Sequence, residues 1–450
     1  MTNTLNKLLK SKYYPVVFQV ITAALFSYIT AALLFGPTET GDNFGSTITW
    51  ILWWPLIPIT FFLLGRIWCA ICPFATIGDW IQTHLSFKKP VPKFLKKYGL
   101  WIINLAFIAI TWYDLTYGLV SSVRASAIFL LIVVAASSIV SMFFARRTWC
   151  RYLCFLGGVF GNYSQTSLLE LRSNPSKCKT CKTLDCYNGN EKAPGCILYE
   201  VPRVMDSNRT CNLCGDCLKS CKNDSPSVKL RDLPAQELWT KKKPRFDEAF
   251  LAGSLVGIIL ISGFGMTAAW LPFFQWFQDL IGISNEKIVT SMLFLIMLAV
   301  PIILISIASF ISGKIVKENL VENFSSFAYS LIPLNLASHF AHNLFHFLGE
   351  GKSIAWTTAQ IFSSTSSSAA ESSAGHGAEA VSAALLDAST TQILQYILVS
   401  VGIGASLYVA YKIANKRKLG FVAALPHFVI VAIFGIATFV LFMLPMGMRH

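Results

Sequence analysis

The chain has 450 residues, 54% of them hydrophobic and 13% charged, with a formal net charge of +14 and a mean hydropathy of +0.55. So apolar a composition excludes an ordinary soluble domain and points to a protein that crosses a membrane several times. The positive charge would suit nucleic acid, but it is spread as a topology signal instead, and no nucleic-acid module, nucleotide-binding glycine loop or nucleophile elbow is visible.

Nine segments are long enough to span at roughly 20 apolar residues each: 13–35, 47–64, 100–120, 126–144, 249–271, 288–311, 326–348, 391–411 and 421–444. The first is long and lacks a small-residue cleavage site, so it reads as a span and not as a signal peptide. With the N-terminus cytoplasmic, 33 of the 37 basic residues fall inside; Arg124, Lys287, Lys352 and Arg449 fall outside. The positive-inside rule selects that orientation, which places the C-terminus on the periplasmic or external side of a prokaryotic inner membrane. Lys241, Lys242, Lys243 and Arg245 belong first to this signal and second to a basic surface for an acidic electron carrier. Pro55, Pro58, Pro301, Pro333 and Pro426 fall inside spans and predict kinks.

Taken in chain order, the first third contains a repeat. Gly65-Arg66-Ile67-Trp68-Cys69 follows the second span, and Arg146-Arg147-Thr148-Trp149-Cys150 follows the fourth. Two parallel hairpins related by an axis along the membrane normal bring equivalent points together. Cys69/Cys72 and Cys150/Cys154 then make a four-thiolate site, which selects an iron–sulfur cluster or zinc; redox-active dithiols or buried small residues are the alternatives. Arg66, Arg146, Arg147 and Arg151 would offset its negative charge.

Residues 165–246 are polar and cysteine-rich. Cys211, Cys214, Cys217 and Cys221 spell C-x2-C-x2-C-x3-C, the bacterial ferredoxin spacing, and Cys178, Cys181, Cys186 and Cys196 form a stretched second copy. In two-cluster ferredoxins the fourth cysteine of each run serves the other cluster. One 4Fe–4S cluster would take Cys178, Cys181, Cys186 and Cys221, the other Cys211, Cys214, Cys217 and Cys196. A structural zinc site is the competing reading, although zinc ligands usually come as two separated pairs. With all twelve cysteines in such clusters, metal ligation in a reducing compartment is favoured over disulfides.

The seventh span carries Asn335, His339, His342 and His346 on one helical face. Polar residues at membrane depth face a partner, a cofactor or a water-filled cavity. An axial haem b ligand, a metal-ion site at His339, His342 and His346, and a packing stripe or quinone-head site stand as equal alternatives. His427 reads as too far inward to be a second haem ligand, His376 and His450 as external residues able to fold back, and His84 as part of an interfacial helix with Trp80. The Ser/Ala/Thr-rich stretch 350–390 predicts an irregular external loop with a short helix at 378–386.

The paired Arg-x-Trp-Cys motifs, with the two-cluster ferredoxin pattern behind them, resemble the NapH/NosR-type membrane polyferredoxins over roughly residues 10–235. The usual family motif is C-x3-C-P; here Cys69/Cys72 keeps the proline and loses a spacer residue, while Cys150/Cys154 keeps the spacer and has Phe155 in place of proline. The resemblance implies quinone-linked electron transfer between the quinol pool or cytoplasmic donors and a periplasmic redox system.

The whole predicts an all-α polytopic membrane protein of about nine transmembrane helices with an inserted cytoplasmic ferredoxin-like bis-4Fe–4S domain. Its domains are a four-helix membrane repeat at 1–164, the cysteine-rich domain at 165–246, and a five-helix membrane domain at 247–450. The leading function is an electron-transfer subunit of an oxidoreductase system, with lipid, redox proteins on either face and quinone as partners and no nucleic acid. A redox-coupled metal uptake component and a redox-sensing or maturation factor are the alternatives.

Overall fold

The structure is a computed structural model that describes residues 2–241, 243–363 and 384–447. Eight helices are long and apolar enough to cross a membrane: Val16–Phe35, Phe44–Leu64, Lys93–Tyr117, Val123–Phe143, Phe246–Phe264, Glu286–Val316, Ala388–Lys416 and Phe421–Met443. Each coincides with an expected segment. The ninth expectation, 326–348, is also helical, as the helix Leu320–Phe327, a 3-10 turn at Ala328–Leu331 and the helix Ile332–Glu350. It is not among the eight because the asparagines and histidines on its polar stripe dilute its apolarity.

Proline leaves its mark where the sequence predicts it. The second span is π-helical over Thr47–Trp53, immediately before Pro55 and Pro58. A proline has no N–H for the carbonyl four residues back, so the preceding turn widens.

The chain divides into two compact units. The first comprises 1–26, 59–107 and 132–251, and so contains the whole cysteine-rich segment together with the ends of both hairpins. Its nucleus is a two-stranded antiparallel sheet, β1 (Leu169–Ser173) against β2 (Pro226–Leu230), with Leu171 opposite Val228. Alternation along these strands buries Leu169, Leu171 and Val228, which share a core with Leu9, Tyr14, Leu213 and Leu218. Leu9 belongs to an amphipathic helix, Thr2–Lys10, that the apolar-span pattern does not reveal. Asn6 fastens that helix to β2: its Nδ2 donates to Val228 O at 2.8 Å and its Oδ1 accepts from Val228 N at 2.9 Å. Tyr14 donates to Leu213 O at 3.0 Å and Lys219 Nζ donates to Tyr14 O at 2.6 Å, so the N-terminal segment is built into the domain.

The second unit comprises 27–58, 108–131 and 252–450. Ile332–Glu350 lies against Ala388–Lys416 within it, where Gln395 Nε2 donates to Ala341 O at 3.0 Å and Ser406 Oγ accepts from Leu334 N at 2.9 Å. The stretch expected as an irregular loop opens instead with a helix, Lys352–Ser363, whose Thr357 meets Thr47 at 2.9 Å between hydroxyls. His376, His450, Lys242, Arg449 and most of the short helix expected at 378–386 lie outside the described residues.

Candidate iron–sulfur sites

The two hairpin ends repeat one construction. Cys69 lies on the one-turn helix Trp68–Ile71 and Cys150 on the one-turn helix Thr148–Tyr152. Cys72 and Cys154 are each the extended N-cap of the following helix, Pro73–His84 and Phe155–Ser164. A thiolate at a helix N-terminus is stabilised by the exposed amides there; the amides of Ala75 and Phe74 do this for Cys72. Pro73, at the first helical position, supplies a helix start that needs no N–H partner.

Each first cysteine has an arginine three residues earlier. Arg66 Nη2 is 3.7 Å from Cys69 Sγ, and Arg147 Nη1 is 3.8 Å from Cys150 Sγ. Both arginines are buried, at 7% and 5% exposure, so their charge acts at low dielectric. Arg147 is further held by Asp79, with Nη2 to Oδ2 at 2.5 Å, and adopts a left-handed backbone (φ 59°). Such strain, about 1–3 kcal/mol, persists where the surroundings over-determine it. Burial opposes the charge on both guanidinium groups, but Asp79 and Cys150 around Arg147, and Cys69, Cys154 and Cys150 around Arg66, raise their pKa values above the ordinary one. Arg151, expected to join them, instead lies over Tyr152 and Tyr199 at 4.8 and 4.7 Å.

The four thiols feel one another. Burial pushes Cys72 up to about 12, with Cys69 and Cys150 adding to it. Cys154 is raised by burial and then by Cys150, Cys72 and Cys69. The four thiols therefore influence one another electrostatically across the two hairpin ends.

In the cysteine-rich segment the sulfurs sort into two sets. Cys196, Cys211, Cys214 and Cys217 line one small pocket, walled by Leu171, Leu198 and Met205. The Glu200 amide donates to Cys196 Sγ at 3.3 Å; amide hydrogen bonds to sulfur tune a cluster's potential. Cys186 is pushed up to about 11 by burial and then by Cys221, Cys181 and Cys178. Ser225 ties this second set together: its N–H donates to Cys221 Sγ at 3.4 Å and its hydroxyl is 3.1 Å from Cys178 Sγ. Cys196 thus lies with Cys211, Cys214 and Cys217, and Cys221 with Cys178 and Cys186. Donor type and amide hydrogen bonds fit iron–sulfur clusters at these positions.

Two of the three places share a wall. Ala70, fully buried between Cys69 and Cys72, packs with Ile197, Leu198 and Cys214, and Cys150 and Cys196 lie against the same cluster of side chains. Arg66 Nη1 donates to Arg209 O at 2.6 Å, two residues before Cys211.

Comparison with known proteins falls on this region. The profile of a 4Fe-4S binding domain family matches residues 46–92 and 126–169, one match per hairpin end, covering both membrane-edge pairs and none of the other eight cysteines. An uncharacterized protein of Methanocaldococcus jannaschii is 24% identical over 233 residues, which is 47% of this chain and 92% of the relative. A second from that organism is 24% identical over 170 residues, covering 37% of this chain and 65% of the relative. The ferredoxin-type protein NapH of Escherichia coli is 23% identical over 199 residues, covering 39% and 66%. The last two are thus matched over just under two thirds of their length. No solved structure matches. The chain is similar to membrane polyferredoxins.

In this polyferredoxin-like protein the histidine stripe is heterogeneous. Asn335 Nδ2 donates to Ala252 O at 2.7 Å, a packing role. His339 lies against Trp54, ring centroids 5.5 Å apart. His342 and His346 meet edge to face at 5.5 Å. His346, fully buried, has Nδ1 at 2.9 Å from Glu350 Oε1 and Nε2 at 3.4 Å from Met266 Sδ. His427 does not join them: it stacks on Phe327 at 3.8 Å, with Nε2 at 2.7 Å from Asn323 Oδ1. His84 packs on Trp80 at 4.9 Å. Among the described residues, no three His, Cys, Asp or Glu side chains converge as ligands of a single ion.

Sequence reasoning missed the groups that brace these sites. Glu237 is 2% exposed and accepts from Arg172 at 2.6 Å, Arg231 at 2.7 Å, Ser207 Oγ at 2.9 Å and Asn208 N at 2.9 Å. It pins the loop that leads into Cys211. An isolated glutamate beyond the last cysteine carries no motif, so nothing in the spacing marks it. Met266 likewise lies outside the helix that carries the histidines, while Glu350 continues their face four residues past His346.

Proposed function

We propose that the protein is a membrane-bound electron-transfer protein, carrying electrons between cytoplasmic donors or the quinone pool and a redox partner on the periplasmic side. Its role in an oxidoreductase system is that of a subunit holding three iron–sulfur sites. Cys69, Cys72, Cys150 and Cys154 would hold one cluster, Cys196, Cys211, Cys214 and Cys217 a second, and Cys178, Cys181, Cys186 and Cys221 a third. When bound, such clusters supply one-electron redox centres.

The observation that carries this reading is the buried wall at Ala70, shared by the membrane-edge cysteines and Cys214. Residues of two candidate sites pack against one cluster of side chains there, which suits passage of charge between them. Around the membrane-edge site, Arg66 and Arg147 offset negative charge, and Asp79 fixes Arg147.

The test is spectroscopic. Protein isolated anaerobically from membranes should be brown and should show paramagnetic resonance signals from three clusters on chemical reduction. Addition of a quinol to native membranes should change the redox state of at least one. Colourless protein that stays so after reconstitution with ferrous iron and sulfide would sink the proposal. Clusters indifferent to quinol and to low-potential cytoplasmic donors would instead favour a sensing or maturation role.

A further inference from the structure

We propose that the face around Cys178, Cys181, Cys186 and Cys221, carrying Lys177, Lys179, Lys182 and Lys222, docks an acidic soluble one-electron carrier protein. The inference rests on the iron–sulfur reading of those four cysteines, and every residue in it belongs to the first unit.

The two cysteine runs meet solvent differently. Residues 212–218, which hold Cys214 and Cys217, are all buried. Lys177, Lys179, Thr180, Lys182 and Thr183, which flank Cys178 and Cys181, are all exposed, and so are Lys222, Asn223 and Asp224 directly after Cys221. A redox centre held by these outer loops is the one that a partner in water approaches most closely. An electron exchanged with a soluble protein would enter or leave there.

The loops converge on one face. Asn223 Nδ2 donates to Lys177 O at 3.4 Å and Lys177 Nζ donates to Asp224 O at 3.1 Å, which seats the loop of Cys178 on the loop of Cys221. Lys222 Nζ lies 3.4 Å from Oδ2 of Asp185, the residue before Cys186, and its side chain is still 66% exposed. All four lysines are sequence neighbours of a candidate ligand.

The positive charge on this face exceeds the negative. Asp224 pairs with Lys10 and Asp185 with Lys222, while no carboxylate pairs with Lys179 or Lys182 among the described residues. Glu191 and Lys192, consecutive in the chain, offset each other. Lys241 and Arg245, where the sequence suggested a basic surface, are instead committed to Glu248 and Asp247 at 2.5 and 2.6 Å. Exposed ammonium groups around a redox centre raise the local concentration of an acidic partner and orient its charged face, which speeds encounter more than it tightens the complex. Lysine, a hydrated point charge on a flexible stem, suits such brief contacts. The same charges would also offset a cluster's own negative charge, so the test must separate rate from potential.

The test uses the full-length protein in detergent with its iron in place. Reduction of its clusters by a reduced acidic ferredoxin is followed by stopped flow, alongside the double variant Lys179→Gln/Lys182→Gln. At low ionic strength the variant should be slower by about fivefold or more. The two should converge near 1 M salt, where the Debye length is about 3 Å. Reduction by the methyl viologen radical, a small cation, should be no slower in the variant. Equal slowing with both reductants would mean a shifted potential in place of a dock and would overturn the proposal. So would equal ferredoxin rates in wild type and variant at low salt, or loss of binding to anionic phospholipid vesicles with the ferredoxin rate unchanged. Each of those outcomes, obtained with iron and sulfide in place, leaves the electron-transfer reading standing. Protein that never holds iron or sulfide would sink that reading itself, and the dock with it.

Discussion

Arg66 and Arg147 hold equivalent stations in two copies of one motif, each with a guanidinium nitrogen under 4 Å from the sulfur three residues on, at 3.7 and 3.8 Å. The sequence repeat is therefore also a repeat of electrostatic environment. Exchange of Arg147 for glutamine should remove a buried positive charge and lower the reduction potential of the adjacent site by about 60 mV, a tenfold change in a one-electron equilibrium. Asp79→Asn, which loosens Arg147 but leaves its charge, should move the potential less. Redox titration followed by paramagnetic resonance distinguishes the two.

Loss of a single cysteine should be felt locally. Cys154→Ala should cost about one cluster's worth of iron and sulfide while the signals of the cysteine-rich segment persist. Loss of all iron from that variant would mean that the sites do not load separately.

The buried thiols make the iron-free protein sensitive to alkali. Cys72, Cys211 and Cys186 are held at about 12, 12 and 11 by burial and by neighbouring thiols, against an ordinary value of 9.0. The unfolded chain gives up these protons first. Stability of the iron-free form should therefore be full below pH ~9 and fall progressively between pH ~9 and ~12. Because the ligands must be deprotonated, reconstitution with iron and sulfide should release protons. Thermal unfolding against pH, and proton release on loading, check both.

Much of this was legible in the chain. Cysteine spacing pointed to the cysteine-rich segment, because ligand geometry ties sequence separation to position within one loop. The Arg-x-Trp-Cys repeat pointed to the matching hairpin ends, where Arg66 and Arg147 do stand beside equivalent sulfurs. Spans were legible from length and apolarity alone, except that Ile332–Glu350 is helical with a face too polar to score as one. Longer-range choices were not readable. Glu237 reaches Arg172 across 65 residues, and Met266 approaches His346 across 80 residues, so neither contact leaves a local pattern. Arg151 had the right charge and neighbourhood, but two tyrosines hold its guanidinium elsewhere.

Glu237→Ala should be among the most damaging substitutions outside the cysteines. It leaves Arg172 and Arg231 without their shared carboxylate, and breaking a buried ion network by removing one partner costs about 3–5 kcal/mol. The expected result is a lowered unfolding temperature and loss of the Cys211–Cys217 site before the others. Glu237→Gln, which keeps the shape, should be milder.

Asn6→Ala should detach the N-terminal helix from β2. It removes two hydrogen bonds to Val228, at about 0.5–1.5 kcal/mol each. Faster protease cleavage ahead of Tyr14, with the membrane-edge site still loaded, is the expected signature.

That same pair imposes an order on biosynthesis. Asn6 and Val228 are 222 residues apart, and four of the membrane helices are encoded between them. At ~5–20 residues per second, the ribosome needs about 10–45 s to deliver the second partner after the first. The leading helix must wait, undocked, while everything in between is made, so the cysteine-rich domain closes only after the first four of these helices have emerged.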